Sequence, residues 1–207
     1  MEATENNLII TMPTKYIRNI SDILKRADIQ NISSVSPADL VQIVGTVISI
    51  PKKIRTNRRG YEGFTVNDIR VGDKCFFRYD VVYDLKAVSE KDNVYRNMFE
   101  YNAKEYWLLN IQKLFGVIRD DRIIMLNGYV MIQDFNDDVI YLPNYVKKFK
   151  GTKKSKIICI GNPKSKEKTI PAYVDDIVFF DPSKTSKYQI SGKPFRIIQQ
   201  KFLLGKI

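Results

Sequence analysis

The side chains of this 207-residue chain whose types could carry chemistry are two cysteines, three adjacent aspartate pairs and two basic clusters; histidine is absent. Lack of histidine removes the commonest general base, the commonest metal ligand and the Ser-His and Cys-His nucleophile pairs. Cys75 and Cys159 have no CxxC spacing, and each lies inside an apolar run, where a free thiol behaves as a small buried hydrophobe. A zinc site needs ligands that this composition does not supply. The aspartate pairs are Asp120-Asp121, Asp137-Asp138 and Asp175-Asp176. Neighbouring residues on a strand point to opposite faces and aspartate favours turns, so these pairs read as turn formers rather than as an acid and base acting together. No GxxxxGK[ST] or GxGxxG phosphate loop occurs. The chain is therefore expected to be no enzyme and to hold no cofactor or metal.

The basic residues point to partners instead. Lys and Arg number 34 against 23 Asp and Glu, a formal charge of +11, which favours nucleic acid, an acidic protein surface or a membrane face. One cluster is Lys52, Lys53, Arg55, Arg58 and Arg59; the other begins with Lys147, Lys148, Lys150, Lys153 and Lys154 and runs on to Lys168. Gly, Thr, Ser and Asn break both, as in solvated loops. Grooves for single-stranded nucleic acid interleave aromatics with such charges, and here they mostly do not, so nucleic-acid binding is the weakest of the readings considered. It predicts affinity that falls steeply with salt.

The elements that must position these residues are strands. Hydrophobic residues make up 44% and charged residues 28%, which suits a packed core. The polar, acidic start Met1-Glu-Ala-Thr-Glu-Asn-Asn7 lacks the pattern of a signal peptide, and no apolar stretch nears the roughly 20 residues of a membrane span. A soluble protein of a reducing cytoplasm is expected. β-Branched and aromatic residues fall in short runs between turn residues. Short helical turns are expected only at residues 21–27 and 37–41, where Ser36-Pro37 has N-cap and N1 character.

The runs repeat. Tyr106-Trp-Leu-Leu-Asn-Ile-Gln-Lys-Leu-Phe-Gly-Val-Ile118 lies ungapped over Phe195-Arg-Ile-Ile-Gln-Gln-Lys-Phe-Leu-Leu-Gly-Lys-Ile207, with Leu114/Leu203, Gly116/Gly205 and Ile118/Ile207 identical. Val71-Gly-Asp-Lys-Cys-Phe-Phe77 matches Val174-Asp-Asp-Ile-Val-Phe-Phe180, and Gly45-Thr-Val-Ile-Ser-Ile50 matches Ser155-Lys-Ile-Ile-Cys-Ile160. Leu8-Ile-Ile-Thr-Met12 is set against Gly128-Tyr-Val-Met-Ile132. Four blocks in one order indicate a duplicated unit: residues 1–120, with insertions at about 13–41 and 84–103, and residues 121–207. The boundary falls at Arg119-Asp120-Asp121, too short to be a flexible linker. The fold expected is all-β, two tandem small barrels with long loops.

The order of blocks within each copy resembles the GroES family of small co-chaperonins: an opening strand, a long loop, a G-x-V-x-A-V-like strand, a V-G-D turn before an apolar strand, and a closing apolar strand. The resemblance spans nearly the whole chain through short, mostly structural motifs. It implies two GroES-like barrels, a homo-oligomeric ring and a GroEL-type chaperonin as partner. In that family the loop after the first strand carries an aliphatic tripeptide that docks on the chaperonin. In the second copy residues 134–154 take that place, with Ile140-Tyr141-Leu142 resembling the docking element; the other reading is an edge strand capped by Pro143. In the first copy the weaker candidates are Ile20, Ile23, Leu24, Ile29 and Ile32.

The function expected is that of a co-chaperonin-like ring that caps a chaperonin in a bacterial cytoplasm and assists protein folding. The alternative is a non-enzymatic structural or assembly protein, such as a phage virion ring or a capsid-decorating component, since one fold hosts many functions. Either way, the opening strands (residues 8–12 and 129–133) and the closing strands (106–118 and 195–207) are expected to be the sheet edges that pair between subunits.

Overall fold

The computed structural model describes residues 1–13, 44–55, 64–78, 81, 97–134, 152–162, 169–190 and 193–207. The expected helical turns at 21–27 and 37–41 lie outside them. Among the described residues the chain is all-β apart from short 3-10 turns, and it forms two antiparallel sheets. No helix among them is long and apolar enough to cross a membrane.

The first sheet contains β1 (Asn7–Thr11), β2 (Val44–Ser49), β3 (Lys74–Phe77), β4 (Met98–Tyr101), β5 (Lys104–Asn110), β6 (Leu114–Arg119) and β7 (Arg122–Met125), in the spatial order β4-β5-β1-β2-β3-β6-β7. The second contains β8 (Tyr129–Asp134), β9 (Lys153–Ile160), β10 (Ile177–Phe180), β11 (Ser186–Ile190), β12 (Lys193–Gln199) and β13 (Leu203–Lys206), ordered β11-β12-β8-β9-β10-β13. With β7 set aside, the two orders are the same permutation. Neither sheet closes into a barrel among the described residues.

The duplication reaches single hydrogen bonds. A register shift at Ile9/Ile10 in β1 recurs at Met131/Ile132 in β8, and one at Phe76/Phe77 recurs at Phe179/Phe180. The turn before β3 sends the Gly72 amide to the Val47 carbonyl (2.8 Å), as the Asp175 amide goes to Ile157 (2.9 Å). Both turn residues need positive φ, +93° at Gly72 and +75° at Asp175; glycine adopts this freely and aspartate tolerates it.

Three expectations are corrected. Leu8 pairs with Leu109 while Val130 pairs with Ile198, so the opening strands align two residues away from the match expected from the sequence. Those strands are also not edges: β1 lies between β5 and β2, and β8 between β12 and β9. Each closing run is two strands, broken by the 3-10 turns Ile111–Lys113 and Gln200–Phe202. At the first break the Asn110 side chain accepts from the Gln112 amide at 3.0 Å, an N-cap bond that satisfies one amide of the turn. The chain thereby leaves β1 and goes on to pair with β3.

Alternation along the strands builds three cores. Leu8, Ile10, Cys75, Phe77, Leu114 and Val117 point into the first unit, together with Trp107 and Leu109. Val130, Ile132, Val178 and Phe180 fill the second. The residues between them in sequence, Phe76, Phe115, Tyr129 and Met131, turn the other way and meet in a third cluster that joins the units. Strands buried on both faces read as continuous apolar runs, which is why no clean alternation marks these segments in the sequence.

Candidate assembly interface

The two units meet through a surface that the β6–β7 hairpin creates. Asp120 and Asp121 both have positive φ (49° and 58°), the type I′ geometry of a two-residue hairpin. This turn lets β7 pair with β6, Gly116 opposite Met125 and Val117 opposite Ile124. β7 and Leu126 lie past the charged triplet yet belong to the first sheet and the first core. The chain then enters β8 through Asn127 and Gly128, both with positive φ. Asn127 is buried, and its Oδ1 accepts the Thr65 amide at 3.3 Å.

Aromatic rings fill the junction. Phe115 meets Tyr129 edge-on, with centroids 4.9 Å apart, and Tyr188 at 6.3 Å; Phe76 meets Tyr188 at 5.6 Å. Tyr129 donates its hydroxyl to the Gln112 carbonyl (3.3 Å) and accepts from Gln199 Nε2 (3.2 Å). Cys159 donates Sγ–H to the Ile123 carbonyl across the junction at 3.3 Å. Two glycines permit the close approach. A Cβ at Gly116 would lie 2.5 Å from the Ile124 carbonyl oxygen, and one at Gly161 would lie 2.7 Å from the Met125 carbonyl. Buried aromatic side chains contribute about 2–3 kcal/mol each in packing of this kind, so the two units are held as one body rather than tethered.

The same strand geometry leaves β13 at an edge. It pairs with β10 on one side and with no described strand on the other. Around it, Tyr173, Val174, Phe202, Leu204 and Ile207 are exposed. Lys206 reaches back to Asp176 at 3.0 Å and lies 5.0 Å from the Tyr173 ring centroid. Hydrogen bonds from the Tyr173 amide and from Lys206 hold the Asp176 carboxyl below its ordinary range.

Of the residues singled out in the sequence, Ile140, Tyr141 and Leu142 lie outside the described residues, as do Ile20, Ile23, Leu24, Ile29 and Ile32. So do Arg58, Arg59, Lys147, Lys148 and Lys150. Lys52 and Arg55 are described, and each is tied to the acidic N-terminal segment: Lys52 to Glu2 at 2.6 Å and Arg55 to Glu5 at 2.5 Å. Lys53 is exposed beside them. Lys153 and Lys154, expected in a loop, open β9, where they face Phe180 and Phe179 in the ladder. The basic candidates therefore do not form one described patch. Among the described residues no three Cys, Asp or Glu side chains converge to hold a metal ion. A cleft of about 190 Å³ beside β12 contains Asp134 and Arg196, but these two are bonded to each other at 2.7 Å.

The thiols differ in accessibility. Burial pushes the Cys75 thiol up to about 12, against the smaller effect of its bond to the Gly45 carbonyl at 3.4 Å. The thiolate is the reactive form. Iodoacetamide at neutral pH is thus expected to leave Cys75 unmodified in the native protein and to label it only in denaturant, while the half-buried Cys159 labels first; peptide mass spectrometry reads both sites.

The sequence does not by itself mark Phe76, Phe115, Tyr129 and Tyr188 as interface aromatics. Their signal was present as apolar residues at both parities, Phe76-Phe77 and Leu114-Phe115, which marks strands covered on both faces. No protein-family model matches this chain, and no curated protein matches it.

Proposed function

We propose that this protein is a non-enzymatic, ring-forming co-chaperonin built from two GroES-like units, which caps a GroEL-type chaperonin through the loops that follow β1 and β8. The observation that carries the reading is the duplication. Two units with the same strand permutation, bulges and turn bonds are docked on each other by strand pairing and an aromatic core, so a junction between like units already exists once in the chain. Rings are made by repeating such a heterologous contact. On this reading each unit is a small GroES-like barrel, Ile140 and Leu142 are the docking side chains, and the protein works in a bacterial cytoplasm.

The rigid packing of the units favours one second reading, a structural ring or decorating component of a virion that uses the same contacts without a chaperonin. Nucleic-acid binding draws less support, because Lys52 and Arg55 are already paired with Glu2 and Glu5.

Mass photometry of the protein alone, and with a bacterial GroEL-type chaperonin plus nucleotide, tests the proposal. A discrete oligomer that binds the chaperonin, and loses that binding in the double variant Ile140→Ser/Leu142→Ser, is the expected result. An oligomer that ignores the chaperonin moves the assignment to the structural reading.

A further inference from the structure

The chain passes from the first unit to the second through Asn127-Gly128, and this dipeptide occurs nowhere else in the sequence. In an Asn-Gly pair the side-chain carbonyl carbon lies within reach of the next backbone nitrogen, and glycine has no Cβ to shield that nitrogen. The turn itself does not demand the pair. The Asn7 amide bonds the Thr4 carbonyl (3.1 Å) as the Tyr129 amide bonds Leu126 (3.0 Å), which sets Glu5-Asn6 against Asn127-Gly128. Asn6 holds a φ of 62° where Gly128 has 73°, so the first copy makes an equivalent turn without the reactive pair.

We infer that Asn127-Gly128 is a deamidation site gated by the docking of the two units, silent while they are packed and reactive once they part. The inference stands apart from the assembly reading and needs no partner. In the reaction the Gly128 nitrogen gives its proton to solvent base and attacks Asn127 Cγ. A new N–C bond closes a succinimide ring, the Cγ–Nδ2 bond breaks, and Nδ2 takes up a proton from solvent and leaves as ammonia. Water then adds to either ring carbonyl and reopens the ring to aspartate or isoaspartate. No electrons are transferred to or from an outside group.

The docked fold restrains nearly every atom of this sequence. Gly128 donates its amide proton to the Asn162 carbonyl at 2.7 Å, a short bond that deprotonation would have to break. Asn127 Oδ1 accepts the Thr65 amide from the first unit at 3.3 Å, which fixes the side chain away from free rotation. Asn127 is only 4% exposed, so the water that hydrolyses the ring is kept out. Leu126, just before it, is buried in the first core, while Tyr129, just after it, lies in the cluster that joins the units. The exception is the leaving group: Nδ2 is buried with no hydrogen-bond partner, an arrangement that costs free energy and does nothing to hold the amide in place.

The product does not fit the site that protected its precursor. Aspartate would put a carboxylate oxygen where Nδ2 now lies, and a charge without a partner is far costlier to bury than an amide. Isoaspartate would insert a methylene into the main chain between Leu126 and β8. The bonds from Tyr129 to Leu126 and from Gly128 to Asn162 could not then both form with their present spacing. Deamidation thus marks, irreversibly, a chain whose units have come apart.

Peptide mass spectrometry and isoaspartyl methyltransferase labelling of the full chain, incubated in mildly alkaline buffer with and without urea, test the site. Deamidation at Asn127 is expected to be at least about 1,000-fold slower in the native protein than in urea, as for a site that reacts only from an opened form. Gly161→Ala, whose Cβ would lie 2.7 Å from the Met125 carbonyl and 2.8 Å from the Leu126 nitrogen, should raise the native rate about tenfold or more by loosening the junction. Protein deamidated in urea and returned to buffer should show a lowered urea midpoint. Equal rates with and without urea overturn the gate, and no reaction in urea overturns the site. A deamidated chain that regains the parent midpoint overturns the irreversible mark.

Discussion

Gly116→Ala is expected to destabilise the protein by about 3 kcal/mol, the upper part of the usual range for overpacking a filled site. The added methyl would stand 2.5 Å from the Ile124 carbonyl oxygen and 2.7 Å from Phe76 Cζ. A carbonyl that belongs to a paired strand cannot swing aside as a flexible side chain does. Relief requires β7 to leave β6, which loosens Met125 and Leu126 and opens the ring cluster around Phe115. For a chain of this length the melting temperature should fall by roughly 6–12 °C, measurable by calorimetry on dilute protein. A shift below about 2 °C would show that β7 does not pack there.

Asp73→Ala should cost about as much, roughly 3 kcal/mol, because it strips the partner from a charge pair at the low end of burial for which such losses are measured. Asp73 is 5% exposed. It accepts Arg119 Nε at 2.8 Å and Nη2 at 2.7 Å, and its Oδ2 also takes the Arg70 amide at 2.7 Å. Burial alone would raise its carboxyl, but the Arg119 hydrogen bonds, the Arg70 amide and the two guanidinium charges outweigh that and hold it below the usual carboxylate range. Its stabilisation is therefore complete above the unfolded carboxylate pKa, about 4, and disappears as pH falls through the lower folded value. Urea midpoints at pH 7 and pH 3 check this: Asp73→Ala should lower the first by more than the second. An equal loss at both values would place the effect in packing rather than charge. In the second copy the corresponding Asp176 holds Lys206 on the surface, where an ion pair contributes little.

What could be read in the sequence follows from what each residue contacts. The blocks 71–77 and 174–180 align to the residue, because a tight turn, a bulge and a buried Phe-Phe pair fix their register together. The opening strands slipped by two residues because Leu8, Ile9 and Ile10 are all buried, and a strand covered on both faces carries no parity to anchor an alignment. β4 falls within the insertion expected at 84–103, and neither it nor β11 stands out in the sequence as an apolar run. They are outer strands whose Glu100, Tyr101 and Lys187 lie exposed, and an edge shows little apolar pattern. The identity of Gly116 and Gly205 was visible, but its meaning was not, since only the presence of Ile124 above one and its absence above the other separates them. The docking triplet rests on the family resemblance alone.

The crossing of β7 into the first sheet has a consequence for how the protein is made. Leu126 completes the first core, and the Asn127 side chain serves Thr65 of the first unit. During synthesis the amino-terminal unit must wait for residues that the message encodes after its own closing strand. A gene split between Asp120 and Asp121 would give a first product that lacks its last strand and a second that carries that strand without its partner. The repeats are joined like links of a chain rather than beads on a string, and swapping one copy for a foreign one would require the exchange point to move beyond Asn127.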